Sequence, residues 1–154
     1  MVFVPPQANF RQVSESWQRF GTPERSIVVL SSTGTLCQQK QSLYADAEGI
    51  EGSWFFLPHT LVKEHEVHHV NLHTHDTHTV SARIDAITRE LSSLKVNIPL
   101  SAESTFALVY CDGLSASEGF LMQAWYKSGR FPCLAIGGSA GGKLDFSGTW
   151  RSEE

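Results

Sequence analysis

Residues 106–142, FALVYCDGLSASEGFLMQAWYKSGRFPCLAIGGSAGG, constrain the fold more than any other stretch. Two short apolar runs are separated by one helix-length segment, and the second run opens into glycines. Residues 106–111 are apolar and bounded by polar residues, which suits a buried strand. Asp112-Gly113 turns the chain. Ser115-Ala116-Ser117-Glu118 has the form of a capping box, with the Ser115 hydroxyl accepting from a first-turn amide and Glu118 reaching back. Leu121, Ala124 and Trp125 share one helical face, and Gly129 is placed to end the helix in the left-handed region. Residues 133–136 form the second run, and Gly137 to Gly142 read as a glycine loop. Two strands joined by one helix imply a parallel pair with a right-handed crossover. A loop at the carboxyl end of such a strand lies where open α/β sheets bind ligands.

The first thirty-five residues repeat this plan. Residues 1–4 read as a strand ended by Pro5-Pro6. Phe10, Val13, Trp17 and Phe20 recur at helical spacing as a core stripe, capped by Asn9, closed by Gly21 and stopped by Pro23. Residues 27–30 are a second buried run, emptying into the polar turn Ser31-Ser32-Thr33-Gly34-Thr35. Between the two repeats the texture changes. Residues 45–53 read as a turn, and 54–57 are apolar and end at Pro58. Residues 64–72 alternate imperfectly, with His68, Val70 and Leu72 on one side, as in an edge strand wet on one face. Val80, Ile84, Ile87, Leu91 and Leu94 form a helical stripe capped by Thr77 or Thr79; residues 97–104 connect it to the second repeat. The expected architecture is α/β: a mixed, mostly parallel sheet with helices packed on it, incomplete at the C-terminus. One domain is expected over 1–154, a length that supports one real core.

Composition narrows the function classes. A formal charge of -4 with no basic run argues against a nucleic-acid surface. No apolar run approaches the roughly 20 residues that span a membrane. The opening residues MVFVPP lack the charged start of a signal peptide. Cys37, Cys111 and Cys133 lack metal-like spacing, and a reducing cytoplasm is the simplest compartment for them.

Six of the seven histidines fall between His65 and His78. On a strand, His73 and His75 would share a face, and Asp76 or His78 could complete a zinc site. The run His73-Thr74-His75-Asp76-Thr77-His78 resembles the His-x-His-x-Asp-His run of metallo-β-lactamase-type hydrolases. Its acid sits one residue early, and no histidine follows His78 to supply the remaining ligands. A zinc-dependent hydrolase using His73, His75 and His78 is the alternative reading; a wet strand and loop with imidazoles facing water is the plainer one. The glycine loop is either an anion cradle of backbone amides or a tight turn needing glycine dihedrals. It is neither a Walker A loop nor a dinucleotide fingerprint, and Ser139 lacks the nucleophile elbow.

Ser31-Ser32-Thr33-Gly34-Thr35 after a strand, Asp112-Gly113 before a capped helix, and Gly137-Gly138-Ser139-Ala140-Gly141 after a strand together resemble the N-terminal FIST domain. The resemblance spans nearly the whole chain. It implies a non-enzymatic, cytoplasmic sensory module that binds a small, amino-acid-like molecule and signals to a partner such as a histidine kinase or a cyclic-di-GMP enzyme. If the strands before the two loops are parallel neighbours, both loops emerge at one edge of the sheet, where Ser32, Thr33, Gly34, Gly137, Gly138, Ser139, Ala140 and Gly141 would form a small polar pocket suited to a carboxylate or other small anion rather than a zwitterion. A subgroup of the family carries haem as a nitric-oxide sensor, which makes haem a possible cofactor with His73 or His75 the candidate ligand to haem iron or zinc; because haem needs an apolar pocket and this stretch is polar, weak or no haem binding is expected. Two positions depart from the family pattern: the first loop usually reads Ser-Thr-x-Gly-Glu, and an acid often stands where Gly142 does. The family also continues with further strands and a second domain. A shortened member with an open sheet edge that favours self-association is therefore expected, and a truncated member that binds no ligand is a further alternative.

Overall fold

The computed structural model describes residues 1–5, 7–22, 25–32, 35–39, 42–46, 53–73, 75 and 78–141, with the backbone alone for 35–39 and 42–46. These residues group into two compact units. One holds residues up to 58 together with 112–114 and 140–141; the other holds 59–111 and 115–139.

The first unit begins with the expected strand–helix–strand. Val2–Val4 forms β1, Phe10–Gln18 forms α1 and Val29–Ser31 forms β2. β1 and β2 run parallel, with Val2 opposite Val29 and Val4 opposite Ser31. Asn9 caps α1 as its side chain predicts, its Oδ1 accepting from the Gln12 amide at 3.2 Å. Phe10, Val13 and Trp17 pack on the buried Val2, Val4 and Val29. Phe20, read from its spacing as a fourth core residue, is instead 62% exposed. The reason is local: α1 stops at Gln18, and tight bonds from the Phe20 amide to Trp17 and from the Gly21 amide to Gln18 turn the next residues off the helical face.

A hairpin follows, Thr35–Gln39 (β3) antiparallel to Ser42–Asp46 (β4). The expected turn over 45–53 thus loses Ala45 and Asp46 to β4. Ser53–Trp54 forms β5, antiparallel to β1 on the side away from β2. The apolar run 54–57 is not a strand beyond Trp54; Phe55, Phe56 and Leu57 are exposed.

The second unit carries α2 (Val80–Ser93), most of β6 (Phe106–Asp112), α3 (Glu118–Ser128) and most of β7 (Leu134–Ala140). β6 and β7 pair in parallel, as two runs joined by one helix require. Ile87 and Leu91 of α2 and Leu121, Ala124 and Trp125 of α3 close on Cys111 and Cys133 as one buried cluster. Both cysteines are free thiols acting as small hydrophobes. The Thr79 hydroxyl caps α2, accepting from Ala82 at 3.2 Å. Gly129 ends α3 at φ 60°, the left-handed value that needs no Cβ. The Arg130 guanidinium donates to the carbonyls of Ser92 and Leu94 and so covers the last turn of α2.

Two sequence expectations give way here. The capping box does not form: Gly113–Ser115 is a short 3-10 turn, and Ser117 precedes α3 without a side-chain cap. The fully buried Ser117 hydroxyl is used otherwise. It accepts from Arg83 Nη2 at 2.5 Å and donates to the Ser115 carbonyl at 3.0 Å. Arg83 also donates from Nε to the Leu72 carbonyl at 2.8 Å and lies 4.4 Å over the Phe120 ring. One guanidinium therefore ties the histidine-rich stretch to the start of α3. The second change concerns residues 64–72, which are irregular rather than a strand. Val70 and Leu72 are held by packing on the α2–α3 cluster instead of by a ladder.

The fold is α/β, with one mixed sheet and one parallel pair. Among the described residues the strands form three separate pairings, β2-β1-β5, β3-β4 and β6-β7, where the sequence suggested one sheet. No described helix is long and apolar enough to cross a membrane.

Candidate functional site

Parallel pairing sends β1 and β2 in the same direction, so both leave the sheet at one edge. The Ser32 amide extends the ladder by donating to the Val4 carbonyl at 2.8 Å. The end of β7 comes to the same place: the Gly141 amide donates to the Ser31 carbonyl at 3.1 Å. Residues 112–114, which follow the body of β6, group with this unit as well. The carboxyl ends of β1 and β2 and the closing residues of β6 and β7 thus belong to one unit. Ser31 and Ala140 are buried, and Ser32 and Gly141 are half-buried.

The sequence-predicted residues divide accordingly. Ser32, Ala140 and Gly141 fall in the first unit, and the Gly141–Ser31 bond draws the two predicted loops together. Thr33 and Gly34 lie outside the described residues. Gly137, Gly138 and Ser139 fall in the second unit, and they are not a loop: β7 continues through Ala140. The glycines serve the strand pairing. A Cβ on Gly137 would overlap the Val109 carbonyl of β6, whereas one on Gly138 would meet nothing within 4 Å. Glycine at 137 permits close approach of two backbones, the role glycine has inside strands.

This changes the donor inventory. An anion cradle needs amides that point at the ligand. The amides of Ser32 and Gly141 point instead at the carbonyls of Val4 and Ser31. The described polar side chains that this unit has at the ends of its strands include Ser31, Ser32 and Asp112, whose Oδ1 accepts from the Leu114 amide at 2.9 Å. Sequence reasoning took Asp112 only as a turn residue; its position at the end of a strand was the missed signal.

The histidine stretch resolves differently. His73 and His75 do not share a strand face, because no strand forms there and His73 sits at φ 49°. His73 Nε2 lies 3.7 Å from Glu90 on α2, and His75 is exposed. Asp76 lies outside the described residues. Among the described residues no three His, Cys, Asp or Glu side chains gather as a metal group, and the zinc-hydrolase alternative finds no support. Of the two concavities described, one walled by Trp17 and Trp54 and one by Val80 and Tyr126, neither is lined by a histidine.

Glu66 is the polar anchor of this stretch. Both its carboxylate oxygens accept from the Asn97 amide at 3.1 Å, and His68 Nε2 lies 3.0 Å away. The Asn97 backbone bond, more than the adjacent His68, holds the Glu66 carboxyl below its ordinary value. A carboxyl lowered in the folded chain stabilises above its unfolded value and loses that contribution as pH falls through the folded one. Protection of the Asn97 amide from hydrogen exchange, after correction for intrinsic rate, should fall on acidification through this range. It should be low at every pH in Glu66→Gln. A pH-independent protection in the unsubstituted chain would contradict this.

The sequence model of the FIST N domain matches residues 1–152. The chain belongs to that family. FIST domains are sensory domains of signal-transduction proteins. No curated protein and no solved structure gives a significant match to this FIST chain. The match covers both units, so the strand-end edge and the irregular histidine stretch are both parts of the FIST N region.

Proposed function

We propose that this FIST domain is a non-catalytic, cytoplasmic sensor that binds a small polar, amino-acid-like molecule where β2 and β7 end. A histidine kinase or cyclic-di-GMP enzyme would read its state. One observation carries the site: the Gly141 amide on the Ser31 carbonyl, which joins the ends of β2 and β7. Ligands of α/β proteins collect at the carboxyl ends of strands because loops and side chains converge there. With the Ser32 and Gly141 amides bonded internally, hydroxyls and the Asp112 carboxylate set the polarity. Such an edge favours a ligand carrying donors as well as acceptors over a simple anion. Thr33 and Gly34 are retained on the family resemblance, and Gly137, Gly138 and Ser139, which belong to β7 in the second unit, are not.

Amide-resolved titration with the common amino acids and with acetate and succinate tests this reading. Saturable shifts at Ser31, Ser32 and Gly141 are expected for at least one amino acid. Ser32→Ala should weaken that binding by about tenfold, the equivalent of one lost hydrogen bond to a charged group, with little change in unfolding midpoint. Shifts confined to 65–78, or none with any amino acid, would refute it.

A further inference from the structure

The first unit holds a second concavity, at the opposite end of β1 and β2 from the Ser31–Gly141 contact. Its volume is about 210 Å³, and Trp17, Phe20, Ile27, Trp54, Phe55 and Arg25 are among its walls. Each wall has a local origin. Trp17 closes the last turn of α1, and the turn beyond it throws Phe20 outward. The β1–β5 register sets Trp54 opposite Val2. Ile27 leads into β2. Arg25 has its backbone fixed by paired bonds with Thr22, at 2.9 and 3.2 Å.

The walls are aromatic and wet. Trp17 stands 6.0 Å from Phe20 and 6.1 Å from Trp54, both tilted, and Trp54 stacks on Phe56 at 6.1 Å. Yet Phe20 is 62% exposed and Trp54 59%. Rings tilted about 6 Å apart touch one another, and the exposed faces of Phe20 and Trp54 border the hollow. Exposed aromatic surface gathered in one hollow marks a binding site. An apolar cavity of about 150 Å³ holds one benzene ring, so 210 Å³ suits one ring with a small substituent. Among the described lining residues Arg25 supplies the charged side chain, and a guanidinium pairs a carboxylate through two parallel donors.

We infer that this hollow binds a small aromatic carboxylate, its ring against the faces that Trp17, Phe20 and Trp54 turn to the hollow and its carboxylate on Arg25. Ring and charge are both required. A neutral ring leaves the guanidinium without its anion. An aliphatic acid of the same size lacks the flat faces that pack on indole and phenyl rings. The inference is independent of the strand-end reading, because the two places lie at opposite ends of the same strands.

Benzoate is the probe, with benzyl alcohol and cyclohexanecarboxylate as partners in the comparison, read by the indole N–H resonances. Benzoate should shift the Trp17 and Trp54 signals saturably and leave Trp125 unmoved. Arg25→Gln should weaken benzoate by at least about tenfold and leave the weaker binding of benzyl alcohol unchanged. Trp54→Ala, which removes an exposed side chain from an edge strand, should weaken both. Cyclohexanecarboxylate should bind more weakly than benzoate. Non-saturable shifts, benzoate affinity unaltered by Arg25→Gln, or equal binding of cyclohexanecarboxylate would each overturn the inference.

Discussion

Replacing Gly137 by alanine is expected to destabilise the β6–β7 unit by about 3 kcal/mol, the upper range for an overpacked interior. The new Cβ would overlap the Val109 carbonyl oxygen and lie 2.6 Å from its carbon and 2.9 Å from the Val109 nitrogen. The obstacle is backbone held in a strand, so no side-chain rotation relieves it. The two strands must separate, which breaks the pairing that joins them. Gly138→Ala is the matched control: its Cβ meets nothing within 4 Å, and its backbone is not left-handed. That variant should stay within about 0.5 kcal/mol of the unsubstituted chain, as surface changes do. Urea unfolding followed by circular dichroism measures both. Equal stability of the Gly137 and Gly138 variants would show that β6 and β7 do not approach this closely.

Trp125→Ala should cost about 4 kcal/mol, within the range for emptying a large aromatic from a core. Trp125 is 9% exposed, and its ring stacks on Phe131 at 4.2 Å with 21° between planes. It sits among Ile87, Leu91, Leu121 and Cys133, so the loss falls on the buried surface that closes α3 over α2. Trp125→Phe keeps most of the apolar area and should recover more than half of the loss. Denaturant midpoints at unchanged slope would register the difference. A loss below about 1 kcal/mol, typical of an average substitution, would mean that the cluster is not the core of this unit.

The strand–helix–strand plan of both repeats was legible because local signals agree there. Val2, Val4 and Val29 form apolar runs, and Phe10, Val13 and Trp17 recur at helical spacing. Asn9 and Thr79 bind the amides their positions predict, and Gly129 adopts the left-handed turn. Where a local signal had a competitor it misled. Ser115 and Glu118 have capping-box spacing, but Arg83, 34 residues before Ser117 in the chain, takes the neighbouring buried hydroxyl instead. The alternation over 64–72 describes a strand only if a partner strand exists, and here α2 and α3 offer packing rather than a ladder.

For the candidate site the same division holds. The sequence by itself determined that small-residue segments follow apolar strands, that Asn9 caps α1 and that Gly129 ends α3. Those facts depend on neighbours within a few positions, where side-chain volume and turn chemistry act directly. Tertiary structure alone decided that β7 runs on through Ala140, that the Gly141 amide closes on Ser31, and that Trp17 and Trp54 face across a hollow. Each of these pairs residues far apart in the chain. Hydrogen-bond donors and aromatic faces are generic groups, and their partners are chosen by which strands and helices pack together.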